Sequence, residues 1–274
     1  MLTVTDPTPD RPGPERPALV AELWYEAAPN LEDPGLLAAL REVSADTEAQ
    51  GSAVTVPHQI GAGSGVAPLL TVLLPGSSLD DPAKSLPDTS QTWSWVGAEQ
   101  AVQGCRASLL VSEMFAAGAD PAERVAALTT VLDAVIRTTG PAVISWPQSQ
   151  RVADPAEFEA EDLDGIINVR LFTVARDPGA LVMDTLGLNV FGMPDVQCHF
   201  RDRDPGEIAA LLYTTAVYLF DSGDVILDGN TISEPNGQGR YVCRREPALL
   251  DPARPVLDVD LGDPYAAGDR DRTV

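Results

Sequence analysis

The sequence predicts an α+β fold: an antiparallel-rich sheet with helices packed on one face, arranged as two successive split-βαβ, ferredoxin-like units. Three observations carry that expectation. Residues 18–115 run strand, helix, strand, strand, helix, strand, the order of a split βαβ unit. Residues 116–246 repeat the theme loosely, with two long helices among short apolar runs. Three of the expected helices, at 33–43, 120–140 and 204–223, also share one opening device, an Asp-Pro pair. The aspartate can cap the first turn, and proline suits the first helical position.

Taken in order, residues 1–17 hold five prolines and no apolar period, so they read as a disordered arm. LVAELWYE at 19–26 alternates as a strand. DPGLLAALREV at 33–43 is a helix, capped by Asp33 with Pro34 following. SAVTVPH at 52–58 and PLLTVLLPG at 68–76 are strands, and residues 76–91 form the clearest internal loop. VGAEQAVQGC at 96–105 is a short helix, and ASLLVSEMF at 107–115 closes the first unit as a strand.

The strongest helix is 120–140. Val125, Leu128, Leu132, Val135 and Ile136 make its apolar stripe; Asp120 and Glu123 open it and Gly140 ends it. AVISW at 142–146 is a buried strand. Further strands follow at 166–176, 180–192 and 195–200. The helix at 204–223 repeats the start with Asp204, Pro205 and Glu207, and DPAE at 154–157 carries the same device. Strands at 224–229 and 239–246 finish the second unit. Residues 247–274 read as an Asp/Pro-rich tail in which VLDVDL, 256–261, can add an edge strand.

Composition narrows the class. At 274 residues and 44% hydrophobic, the chain can bury a core without staples. No apolar run approaches the ~20 residues of a membrane helix. The first residues lack the basic end and apolar stretch of a signal peptide, so a cytoplasmic protein is expected. Cys105, Cys198 and Cys243 are far apart and without a C-x-x-C, which reads as buried reduced thiols. With Asp and Glu at 41 against 18 Lys and Arg, the net charge is −23 and the only lysine is Lys84. Such a chain repels nucleic-acid phosphate and anionic lipid. Its expected macromolecular partner is a basic protein, with neither nucleic acid nor membrane.

Several segments invite a chemical reading. On a strand over 195–200, side chains alternate faces, so Cys198 points away from His199 and cannot pair with it as nucleophile and base. Asp195, Gln197 and His199 share one face. Asn168 and Arg170 share a face of the strand at 166–176. If those rows meet, the five form a candidate ligand patch, with Arg170 able to grip a carboxylate or phosphate. The competing reading is the ordinary polar face of a half-covered sheet. Asp184 sits in an apolar row with Val182, Leu186 and Leu188. It is a candidate buried charge, paired inside with an arginine such as Arg170 or with backbone amides. With His58 and His199 the only histidines, no metal site is expected, and no cofactor. GAGSG at 61–65 lacks the lysine and following helix of a phosphate loop and reads as a hairpin loop.

The segments CRASLLVSEM, NVRLF, MDTLGLNVFGMPDVQCHF and GDVILDGNTI together resemble a bacterial family known as domain of unknown function 4261, across most of residues 90–245. The resemblance implies a bacterial α+β protein and brings no activity, cofactor or catalytic residue with it. The functional expectation therefore rests on the residues: a non-enzymatic acidic binding protein, immunity- or adaptor-like. The rivals are a small-ligand binder or enzyme using the strand face around His199, and a structural subunit of a larger assembly.

Overall fold

A computed structural model describes residues 17–59, 69–78, 86–116, 119–175, 177–234, 237 and 239–268. The GAGSG segment and nearly all of the 1–17 arm lie outside these residues. The chain builds two separate sheets. The first contains β1 (Val20–Tyr25), β2 (Glu48–Gln50), β3 (Ala53–His58), β4 (Leu69–Ser78), β5 (Ala107–Met114), β6 (Val143–Trp146) and β7 (Arg151–Ala153). Its order is β2-β3-β4-β5-β1-β6-β7 and every neighbouring pair is antiparallel. The second contains β8 (Asn168–Thr173), β9 (Ala180–Leu186), β10 (Asp195–Arg201), β11 (Thr231–Ser233), β12 (Arg240–Pro247) and β13 (Pro255–Asp260). Its order is β11-β12-β13-β10-β9-β8, antiparallel except where β13 lies parallel to β10.

Four α-helices connect and cover the sheets: α1 (Pro34–Val43), α2 (Ala98–Gly104), α3 (Pro121–Thr139) and α4 (Pro205–Ser222). Asp33, Asp120 and Asp204 each accept from first-turn amides of α1, α3 and α4, with proline next in each case. Gly140 closes α3 at φ 59°, a left-handed turn that favours glycine.

Alternation along β1 sets the layering. Leu19, Ala21, Leu23 and Tyr25 face a core shared with α1, α3 and α4. Trp24 faces the other way and packs with Ala98 and Val102 of α2, Cys105, Val143 and Val152. Helices therefore cover both faces of the first sheet, not one face alone.

The chain is α+β with antiparallel-rich sheets, but strand order corrects the finer expectation. A split βαβ unit sets a single strand between two parallel strands that a helix joins; here β1 and β3, on either side of α1, are separated by both β5 and β4 and run in opposite directions. The division between sheets falls between Ala153 and Asn168, not at 115/116, because β6 joins β1 and carries β7 with it. The 247–274 segment supplies no edge strand: β13 sits between β12 and β10, with Val256, Leu257 and Val259 buried. Residues 224–229 form no strand. The DPAE at 154–157 opens a single 3-10 turn, with Asp154 accepting from the Ala156 amide. Strands β2, β7 and β11 are three residues each, too short to show alternation.

One side-chain clasp joins the sheets where their edges come together. Gln91 exchanges hydrogen bonds with the Leu171 amide and carbonyl on edge strand β8, at 3.0 and 3.4 Å. Next to it, the Thr92 hydroxyl accepts from the Val152 amide on edge strand β7 at 3.2 Å. Both edges are thus occupied, which removes open templates for aggregation.

Candidate functional site

The polar row read from the sequence is assembled, and it is closed. Register pairs Arg170 with Asp184, Asp184 with Gln197, Gln197 with Asp258, and Asp258 with Arg244. A cross-strand ladder of alternating character therefore spans five strands, all on one face. Asp184, Gln197 and Asp195 are 0% exposed, and Asn168 and Arg170 at most 3%. The loop between β12 and β13 lies over them. Its Leu249 amide donates to Gln197 Oε1 at 2.8 Å and its Asp251 carbonyl accepts from Arg170 at 3.0 Å. The expected solvent-facing polar surface is thus a correction: a buried seam under the segment that precedes β13.

Two arginines neutralise the seam. Arg170 grips Asp184 through Nε and Nη2, at 2.9 and 2.6 Å, and donates to Gln150 Oε1 at 2.8 Å. Arg254, at the end of the covering loop, donates Nε to Asp195 Oδ2 at 2.8 Å and Nη2 to Asp184 Oδ2 at 2.6 Å. Its remaining N–H groups reach the carbonyls of Thr185, Leu250 and Pro252. Each of its five donors is used, leaving none for a ligand. Asp195 also accepts from the Leu188 amide at 3.1 Å. Burial pushes the Asp195 carboxyl up to about 6, against the pull of Arg254 and the Leu188 amide. Gln197 donates to Asp258 at 3.2 Å, and Asn168 donates to the Ser149 carbonyl in the β6–β7 turn. Sequence parity could place Arg170, Asp195 and Gln197 together. It could not find Arg254, Asp258 or Gln150, which arrive from distant segments.

His199 stands on the same face and is partly exposed. Its ring packs against Gly268, where a Cβ would collide with Nδ1, and the Ala267 amide donates to its carbonyl at 3.1 Å. Cys198 points to the opposite, core face and is fully buried. Cys105 and Cys243 are also buried and unbridged; burial raises both thiols, Cys243 to about 11.

A different feature faces solvent. Residues 154–164, DPAEFEAEDLD, leave β7 and return toward β8 as a carboxylate wall. Glu157, Glu159 and Glu161 are exposed and have no ion pair among the described residues. Asp162 accepts from the Asp164 amide at 3.0 Å and lies near Tyr213 of α4. Asp164 pairs with Arg151 at 2.6 Å. Burial, reinforced by Asp162 and Glu157, still lifts the Asp164 carboxyl above its usual range. Burial and the charges of Asp162 and Asp164 push the Tyr213 hydroxyl to about 12. On one side the wall meets a cleft with Ser94, Trp95 and Trp146. On the other it forms the rim of a groove of about 650 Å³ between α3 and α4. The sequence signal for the wall was present, six carboxylates in eleven residues, but the DPAE start disguised it as a helix opening.

Among the described residues, no group of three His, Cys, Asp or Glu side chains could hold a metal ion. No helix among them is long and apolar enough to cross a membrane. Residues 184–260, from the Asp184 seam to the end of β13, match the model of a family described as Domain of unknown function (DUF4261). The match begins later than the resemblance read from the sequence and takes in the strand of the C-terminal segment. Neither the curated proteins nor the solved structures contain a match to the chain.

Proposed function

We propose that this chain is a non-enzymatic acidic binding protein of the bacterial cytosol that engages a basic protein, in the manner of an immunity or adaptor protein. The observation that supports this reading is the wall at 154–164, where Glu157, Glu159 and Glu161 stand in solvent with no ion pair among the described residues, beside Asp162 and Asp164. Buried Asp184 and Asp195 are paired with Arg170 and Arg254 and buried Glu113 with Arg124, while buried Asp258 accepts from Gln197. Most of the surplus behind the −23 net charge therefore lies outside the core. A surface of one sign accelerates encounter with an oppositely charged partner and rejects like-charged ones.

The rival reading, a ligand site on the row around His199, loses support from the same geometry. Arg170 and Arg254 are committed to internal acceptors, and opening the row means displacing the loop that Arg254 anchors.

The test is affinity capture with the full chain and with Glu157→Lys/Glu159→Lys/Glu161→Lys. The reading expects basic proteins on the wild-type chain, released as salt rises from about 50 to about 500 mM, and lost from the variant. Salt-insensitive capture, or equal capture by the variant, counts against it.

A further inference from the structure

The groove beside the carboxylate wall has the build of a helix receptor. Its α3 side presents Ala122, Ala126 and Thr130, all short and solvent-facing, so a partner backbone can approach closely. Its α4 side presents Tyr213, Val217 and Phe220 at one-turn spacing, each only partly buried. Val125 and Thr129 complete the lining from α3. The two helices are tied through Phe191, which lies under the Arg124 guanidinium at 5.2 Å and meets Phe220 edge-on at 5.2 Å. The α3 side is therefore anchored, since Arg124 is itself pinned to Glu113 and to the Val190 carbonyl.

The rim is of one sign. Glu161 and Asp162 flank the groove on the wall side and Asp221 on the α4 side. Glu161 and Asp221 are exposed and have no cation partner among the described residues. Asp162 and Tyr213 both line the groove. Among the described residues, no lysine or arginine lines the groove. A largely apolar channel bordered by carboxylates is complementary to a helix with apolar residues at i, i+3, i+4 and i+7 and basic residues on its flanks.

We propose that the α3–α4 groove is the docking site for a basic amphipathic helix of the partner protein. This rests on the basic-partner reading above and names the place and the secondary structure of the contact. The apolar stripe of the incoming helix lies against Val217, Phe220 and the small face of α3. Its Lys or Arg side chains reach Glu161, Asp162 and Asp221. Burial of the stripe supplies affinity, and the carboxylates set direction and reject acidic helices.

The experiment uses the full chain and two labelled peptides followed by fluorescence anisotropy. The first is an 18-residue Leu/Lys amphipathic helix. The second has the same composition with two central residues exchanged for proline, so that charge is kept and the helix is lost. Each is titrated against wild type, Ala126→Trp and Thr130→Trp, which plug the groove from exposed helix positions, and Glu157→Gln/Glu159→Gln, which thins the wall outside it. Circular dichroism checks that each variant is folded. The expected result is helix binding weakened by at least about tenfold by either plug and by proline, with a smaller loss in the Gln variant. If both peptides bind alike and ignore the plugs but leave at high salt, the groove proposal is overturned while the basic-partner reading stands. If neither peptide binds at low salt, both are overturned.

Discussion

Replacing Arg254 with Met tests whether the polar seam is a structural lock. The side chain lies at 3% exposure between two carboxylates at 0%. Among the described residues, its removal takes the only cation from Asp195, one of two from Asp184, and three donors from the Thr185, Leu250 and Pro252 carbonyls. Asp195 would keep only the Leu188 amide and a long 3.4 Å contact to Thr185. Breaking a buried pair from one side typically costs about 3–5 kcal/mol, because the remaining charge is left in a dry site. We expect that loss in urea unfolding followed by tryptophan fluorescence. Arg137→Met is the reference: its pair with Asp133 is exposed, and such pairs contribute about 0.3–0.5 kcal/mol. Adding Asp195→Asn to Arg254→Met should recover part of the loss, since the amide removes the stranded charge. A loss under about 1 kcal/mol for Arg254→Met, or no recovery in the double variant, would refute the lock.

Three further outcomes follow. The Asp195 carboxyl is raised from 3.8 to about 6. The folded state therefore binds more protons than the unfolded state between those values, and this residue's contribution falls as pH rises through them. Against Asp195→Asn, wild type should lose up to about 3 kcal/mol of relative stability between pH 4 and 7 in urea titrations; an opposite slope would contradict the burial argument. With Cys105, Cys198 and Cys243 all buried, an aromatic disulfide reagent at pH 8 should label the native chain slowly and all three thiols after unfolding. Fast stoichiometric native labelling would contradict the packing. Gly165 has φ 90° and its missing Cβ would overlap the Trp146 indole nitrogen, so Gly165→Ala should lower stability by about 1–3 kcal/mol on thermal melting.

Much of the fold was legible because its signals are local. Asp-Pro openings placed α1, α3 and α4, and alternation placed β1, β3, β5 and β10. Parity also separated Cys198 from His199, since a strand sends neighbours to opposite faces whatever surrounds it. The same parity misjudged the destination of the polar row, because a polar face reads alike whether water or a loop covers it. The carboxylate wall was visible as composition, but its setting beside α3 and α4 was not.

What the sequence determined was periodicity, caps, charge and the sharing of strand faces, all fixed by neighbours a few residues apart. What only the tertiary structure decided was pairing: β1 between two antiparallel partners, β13 in the middle of its sheet, and Arg254 carried across 59 residues to Asp195. Those contacts depend on which distant segment relieves a buried charge or an open strand edge, and no local pattern encodes that choice.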